Sequence, residues 1–282
     1  MAGVHTSKVY EQELRTLRER VVLMGSLAEE MIQKGVLALR SRDTELAQTT
    51  RRVDRHINRL ECEVDELCLR ILAMRQPVAS DLRFITTALK IVTDLERIGD
   101  IGVNICERVI ELNEEPPLPE VIDVSTLSDE SLGCLHEALD SLVSRDVDRA
   151  TSLLTRDDHI DEQYSKIFQQ VLAMMSRDPS TIYRATRIQS IAKYLERIGD
   201  HAMNIAETVV FLVKGTDIRH WNRRNDVNAD SVPPPPAAGP PNQRKERSPP
   251  YSDSWICARS LSVPFENAAP ESPAASSFQR RE

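Results

Sequence analysis

Glycine and aromatic side chains are scarce in this chain, with 9 glycines and 4% Phe, Trp and Tyr across 282 residues. Such a composition argues against sheet-rich architectures, which rely on aromatic and β-branched strands closed by glycine turns. Long apolar runs are missing too, and no stretch approaches the roughly 18 residues that read as a bilayer-spanning helix. The N-terminus, Met1 to Lys8, runs into charged residues without the apolar core of a leader peptide. A cytoplasmic protein without direct membrane insertion is expected. There is no excess of positive charge: the formal net charge is -8 and the pI about 5.4. The average surface therefore repels nucleic acid phosphates and anionic lipid, and neither is expected as a partner. The five cysteines, Cys62, Cys68, Cys106, Cys134 and Cys257, form no CxxC pair. They fit reduced, mostly buried residues better than a disulfide frame or a zinc site.

What is abundant is Leu, Ala, Ile, Val, Glu and Arg, which favours an all-α class. The chain also repeats itself. Ser41-Arg42-Asp43 recurs as Ser144-Arg145-Asp146, at an offset of 103, and Leu95 to Asp100 recurs as Leu195 to Asp200, at an offset of 100. His56-Ile57-Asn58 and Gln76-Pro77 match His159-Ile160-Asp161 and Asp178-Pro179 in the same order. The expected architecture is two tandem three-helix bundles, six long helices related by a pseudo-twofold repeat, over residues 1–115 and 120–215. In the first, helices are expected from about Tyr10 to Arg40, Thr44 to Met74 and Ala79 to Leu112. Asp43 is the cap of the second, Pro77 its stop, and Pro116-Pro117-Leu118-Pro119 the end of the bundle. The second bundle starts near Ser125 and ends near Val213. Residues 216–282, rich in Pro and Ser, cannot bury enough apolar surface to offset the entropy of ordering and are expected to form a disordered tail.

The second helix carries a heptad seam of Val53, Ile57, Leu60, Val64, Leu67, Ile71 and Met74, and the third continues it from Leu82 and Ile85 through Gly99 and Gly102 to Leu112. A glycine inside a helix costs about 1 kcal/mol relative to alanine. Gly99 and Gly199, both on the seam, are thus read as places where another helix comes close.

One position past that seam lie Glu96, Asp100 and Asn104, and in the second repeat Glu196, Asp200 and Asn204. Like charges four apart repel on a helix, so a carboxylate pair present in both halves invites a cation. Counting from the intervening turn, Glu96 lies 19 residues after Pro77 and Asn58 lies 19 before it, which sets them level and places Asp100 level with Asp54. The same count brings Asp161 near Glu196, and Asp157 or Asp158 near Asp200. Each hairpin can thus gather four oxygen-bearing side chains, with Glu61 and Asp65 extending the first face. Oxygen ligands without His or Cys suit Mg, Mn, Ca or ferric iron. Two other readings use the same residues: a helical scaffold whose acids face water, and a carboxylate-bridged di-metal enzyme. The enzyme would need Glu-x-x-His pairs, and no histidine here has a glutamate three residues before it. No nucleophile, Gly-rich phosphate loop or HExxH motif is visible either, so no catalytic residue is assigned.

Through Arg75-Gln76-Pro77-Val78-Ala79-Ser80-Asp81-Leu82-Arg83 and the doubled Leu-Glu-Arg-Ile-Gly-Asp, the sequence resembles the PhoU phosphate-uptake regulators over about Tyr10 to His220. The resemblance implies two helical bundles whose E/D-x-x-x-D motifs bind metal ions, falling on Glu96 and Asp100, Glu196 and Asp200, and Asp157 and Asp161. Asp54 is followed by Asn58 rather than an acid, which makes the first site less acidic. It also implies a repressor of the phosphate-starvation response that links the ATPase subunit of a phosphate ABC transporter to a membrane histidine kinase, as a homodimer or larger assembly. The tail departs from the family pattern.

Overall fold

The computed structural model describes residues 8–216 and Ile218. The reading of the tail, and of Cys257 and His220, falls outside these residues. Among the described residues there are eight α-helices and no strand: α1 (Lys8–Ser41), α2 (Thr44–Arg51), α3 (Asp54–Arg75), α4 (Ala79–Glu114), α5 (Ser125–Ser144), α6 (Val147–Leu153), α7 (Asp157–Arg177) and α8 (Ile182–Lys214). A 3-10 turn, Pro179–Thr181, leads into α8. The chain is all-α and twofold repeated, with α1 to α4 and α5 to α8 as the two halves.

The Ser-Arg-Asp signature is a helix stop followed by a helix start. Arg42 and Arg145 take left-handed backbone, with φ of 53° and 56°. The next N–H reaches back five residues, from Asp43 to the Ala38 carbonyl (3.0 Å) and from Asp146 to the Ser141 carbonyl (3.1 Å), which is the Schellman closure of a helix end. Each aspartate then caps the following helix: Asp43 Oδ1 accepts from the Leu46 N–H at 2.8 Å, and Asp146 Oδ1 from the Arg149 N–H at 3.0 Å. Asp146→Ala is expected to cost about 1 kcal/mol, read as a drop of ~2–4 °C in the melting temperature for a domain of this size.

The expected second helix, Thr44 to Met74, is two helices. Residues 52–53 form a tight turn in which the Arg52 and Val53 N–H groups bond only three residues back, to the Thr49 and Thr50 carbonyls (3.1 and 3.0 Å). The second repeat breaks at the same place, between Leu153 and Asp157. Hydroxyl back-bonds precede each break: Thr49 Oγ1 donates to the Glu45 and Leu46 carbonyls, and Thr151 Oγ1 to the Val147 carbonyl. Such back-bonding bends helices. As a consequence Asp54 and Asp157 become the first residues of new helices, where the positive end of the helix dipole favours a carboxylate.

Each half packs as a bundle, α1 on α2, α3 and α4, and α5 on α6, α7 and α8, with α4 on α8 and α1 on α5 between the halves. The heptad seam is buried from Ile57 to Ile71, whereas its ends, Met74 and Leu82, are exposed near the hairpin tip. The α4 helix carries a second buried stripe, Thr87, Ile91, Ile98 and Ile101, each 1% exposed or less. Asp94 lies on the same helical side, and it bonds to His201 of α8. A helix apolar on two sides belongs at the centre of a fold, and α4 sits there with α8. Among the described residues no helix is long and apolar enough to cross a membrane.

Gly99 and Gly199 are contact points, as their place on the seam implied. A Cβ on Gly99 would stand 3.1 Å from Ile57 Cδ1 and 3.6 Å from Asp54 Oδ1, and one on Gly199 would stand 2.7 Å from Ile160 Cδ1. Their missing side chains let α3 lie against α4, and α7 against α8, at the level of the acidic residues.

Candidate metal centre

In the first repeat the N-terminal turn of α3 meets the middle of α4. Asp54, Glu61, Glu96 and Asp100 are all partly buried, and Glu96 feels the charges of the other three. Burial, and then the charge of Asp100, push the Asp54 carboxyl above the ordinary range, while a hydrogen bond from Asn58 opposes the rise. Glu96 is raised by burial, then by Asp100, Glu61 and Asp54, with Arg97 as the counterweight. Glu61 is raised by burial and then by Asp65. Asn58 Nδ2 donates to Asp54 Oδ2 at 3.1 Å. The other oxygen, Asp54 Oδ1, is buried without a hydrogen-bond partner.

In the second repeat, Asp157 and Asp161 of α7 face Glu196 and Asp200 of α8. Burial first, and then Asp161, Asp158 and Glu196, raise the Asp157 carboxyl; burial first, and then Glu196 and Asp157, raise Asp200. Both residues keep much of their surface in solvent, so the crowding is of the carboxyl groups and not of the whole side chains. Glu196 is 7% exposed. Its Oε1 receives Lys193 Nζ at 2.6 Å, and its Oε2 is buried with no hydrogen-bond partner. Burial acts to lower the Lys193 ammonium, but the bond to Glu196 and its charge outweigh that and leave it raised.

The hairpins therefore bring together all eight residues expected from the sequence, Asp54, Asn58, Glu96 and Asp100 in one cluster and Asp157, Asp161, Glu196 and Asp200 in the other. They also decide the open choice on α7: Asp157 reaches Glu196, whereas Asp158 acts only on Asp157. Asn204, which the stripe placed beside the acids, instead donates to Asp94 Oδ1 of the other repeat at 3.3 Å. His201 Nδ1 lies 2.9 Å from the same oxygen, so it ties the halves together. Lys193 was missed. The signal for it was the comparison of halves at that position, where the first repeat has Thr93.

The donor set has the ligand types of a hard-cation site without their convergence. It is made of carboxylates and one amide, two of its oxygens are buried and unpartnered, and its charges repel one another in a partly desolvated space, where an ion would relieve them. As the side chains stand, no three Asp, Glu, His or Cys among the described residues converge closely enough to hold an ion.

The PhoU domain family matches the chain twice, over residues 21–109 and 124–209. A Pseudomonas putida protein described as a phosphate-specific transport system accessory protein PhoU homolog is 42% identical over 217 residues, which is 77% of this chain and 85% of that one. The Escherichia coli K12 phosphate-specific transport system accessory protein PhoU is 34% identical over 216 residues, 77% of this chain and 90% of its own. The crystal structure of PhoU from Pseudomonas aeruginosa aligns with a TM-score of 0.71 at 41% identity, covering 73% of this chain and all (100%) of that one.

Proposed function

The chain belongs to the PhoU family, and from that premise we propose that it is a cytoplasmic accessory regulator of phosphate transport. In this reading it represses phosphate uptake and the starvation response as a homodimeric adaptor between the ATPase subunit of the phosphate ABC transporter and a membrane histidine kinase. Divalent or ferric ions, Mg, Mn or Fe, are held by Asp54, Asn58, Glu96 and Asp100 and by Asp157, Asp161, Glu196 and Asp200. Such an ion supplies positive charge that neutralises the acidic face and fixes the pitch of one helix against the other. The chain's own part is to present two such faces on one molecule, and the observation that carries the reading is the doubled cluster in a member of this family.

The test removes the acids. With Glu96, Asp100, Glu196 and Asp200 all changed to alanine, tagged protein from cells grown at high phosphate is expected to lose the transporter ATPase in a pull-down, and the cells to derepress phosphate uptake. Full ATPase recovery with repression intact would overturn the adaptor mechanism. A second reading, a scaffold that recruits the same partners without metal, draws on the separation of the carboxylates as they stand. It predicts no stoichiometric metal in the purified protein and no change in melting temperature with Mn²⁺.

A further inference from the structure

The halves differ beside the end of their last helix. In the first, Arg51 at the end of α2 reaches Glu107 of α4 at 3.5 Å, and the residues near it, Gln48 and Arg52, are long and polar. The corresponding positions of the second repeat hold the shorter Thr151, Leu154 and Thr155. There the surface opens into a groove of about 360 Å³ between α6 and α8, lined also by Glu207, Val210 and Lys214. The chain itself runs into it. Gly215 is left-handed, with φ of 74°, and Arg83 of α4 occupies the place of a side chain on it, Nη1 standing 2.8 Å from where a Cβ would be. Beyond that turn Thr216 and Ile218 join the lining, and Ile218 packs on the core. The lining suits an indole. Leu154 and Val210 are apolar walls, Lys214 offers a cation to an aromatic face, and the hydroxyls of Thr151, Thr155 and Thr216 are acceptors for a ring N–H. Its volume falls among clefts of about 300–1,000 Å³ that seat ring-bearing ligands. Trp221 follows Ile218 by three residues, a reach of up to ~10 Å. Arg219, Arg223 and Arg224 flank it and are opposite in charge to Glu207.

We propose that this groove is the seat of the chain's own Trp221, a plug that closes the second repeat where Arg51 closes the first. The arginines on either side of the ring bring positive charge to Glu207, and the filled groove is not open to another molecule.

Fluorescence of the full chain tests it, because Trp221 is one of 2 tryptophans and Trp255→Phe leaves it as the sole one. Emission of that variant is expected to be blue-shifted, with acrylamide quenching on the order of fivefold slower than for free tryptophan, since a docked ring meets solvent only when its contact opens. Leu154→Arg and, separately, Thr155→Arg put back the first repeat's side chains. In the Trp255→Phe background each should return emission and quenching to those of free tryptophan, with helical circular dichroism unchanged. Thr155 is exposed, so its variant keeps the question open to refutation if the other folds poorly. Emission at solvent wavelengths in the Trp255→Phe protein, or a blue shift that the folded groove variants leave in place, would overturn the proposal. So would a blue shift lost on dilution, which would give the groove to a second copy of the chain.

Discussion

Gly199→Leu is expected to lower the melting temperature by ~3–10 °C and to abolish ion binding at the second cluster. A leucine there has no room. Even its Cβ would stand 2.7 Å from Ile160 Cδ1, and overpacking of this kind costs about 1–3 kcal/mol. A side chain of that size is expected to move α7 off α8, which separates Asp157 and Asp161 from Glu196 and Asp200. Gly199→Ala is a graded control. Its single methyl meets the far end of an isoleucine side chain that can rotate away, and alanine regains about 1 kcal/mol of helix propensity, so its net effect should stay within about 1 kcal/mol. Thermal melts followed by circular dichroism, with and without Mn²⁺, separate the two substitutions. A leucine variant that melts like wild type would mean that α7 and α8 do not approach as closely as described.

Stripped of divalent ions, the two clusters are expected to add stability as the pH falls toward the carboxylate range, opposing the loss from Glu120, Asp123, Glu162 and Asp178, whose carboxyls are held low in the folded chain. Asp54, Glu61, Glu96, Asp157 and Asp200 all have carboxyl pKa values raised above their reference values of 3.8 for Asp and 4.5 for Glu. As the pH rises past those reference values the unfolded chain releases its protons first while the folded clusters still hold theirs. Stability is therefore lost as the pH climbs through the raised folded values, and is fully present below the unfolded ones. An ion at neutral pH does the same work as the protons. At a hundredfold excess over its dissociation constant each site adds about 2.7 kcal/mol, so filling both should raise the melting temperature by on the order of 10 °C and flatten the pH dependence. The variant lacking Glu96, Asp100, Glu196 and Asp200 should show neither effect. A melting temperature indifferent to both Mn²⁺ and pH in the wild type would remove the electrostatic basis of the metal reading.

Most of this arrangement was legible in the sequence because it obeys local rules. Asp43 and Pro77 mark helix ends by chemistry that needs no tertiary context, and in an antiparallel hairpin residues equidistant from the turn must be level, which is why Asp54 met Asp100. What escaped was set by contacts the rules do not see. The break before Asp54 left the heptad seam uninterrupted, since Val53 and Ile57 keep their spacing while the Arg52 and Val53 N–H groups bond only three residues back. Met74 and Leu82 obey the seam's spacing yet are exposed, because spacing fixes the side of a helix and not what packs on it. Asn204 shares the helical stripe of Glu196 and Asp200, yet the neighbouring repeat supplies a nearer partner in Asp94. Lys193 is one residue among many surface cations until Glu196 is known to be buried beside it.

The stripe of Thr87, Ile91, Ile98 and Ile101 on α4 bears on how such a chain could have arisen. A gene encoding one repeat would yield a product with a greasy wall along its longest rod, tolerable only if a twin molecule covered it. Joining two copies head to tail makes that pairing permanent and independent of concentration. Once joined, the copies were free to diverge, so that Asp94 on one rod could come to face His201 on the other, an asymmetry that two identical molecules would have to build twice.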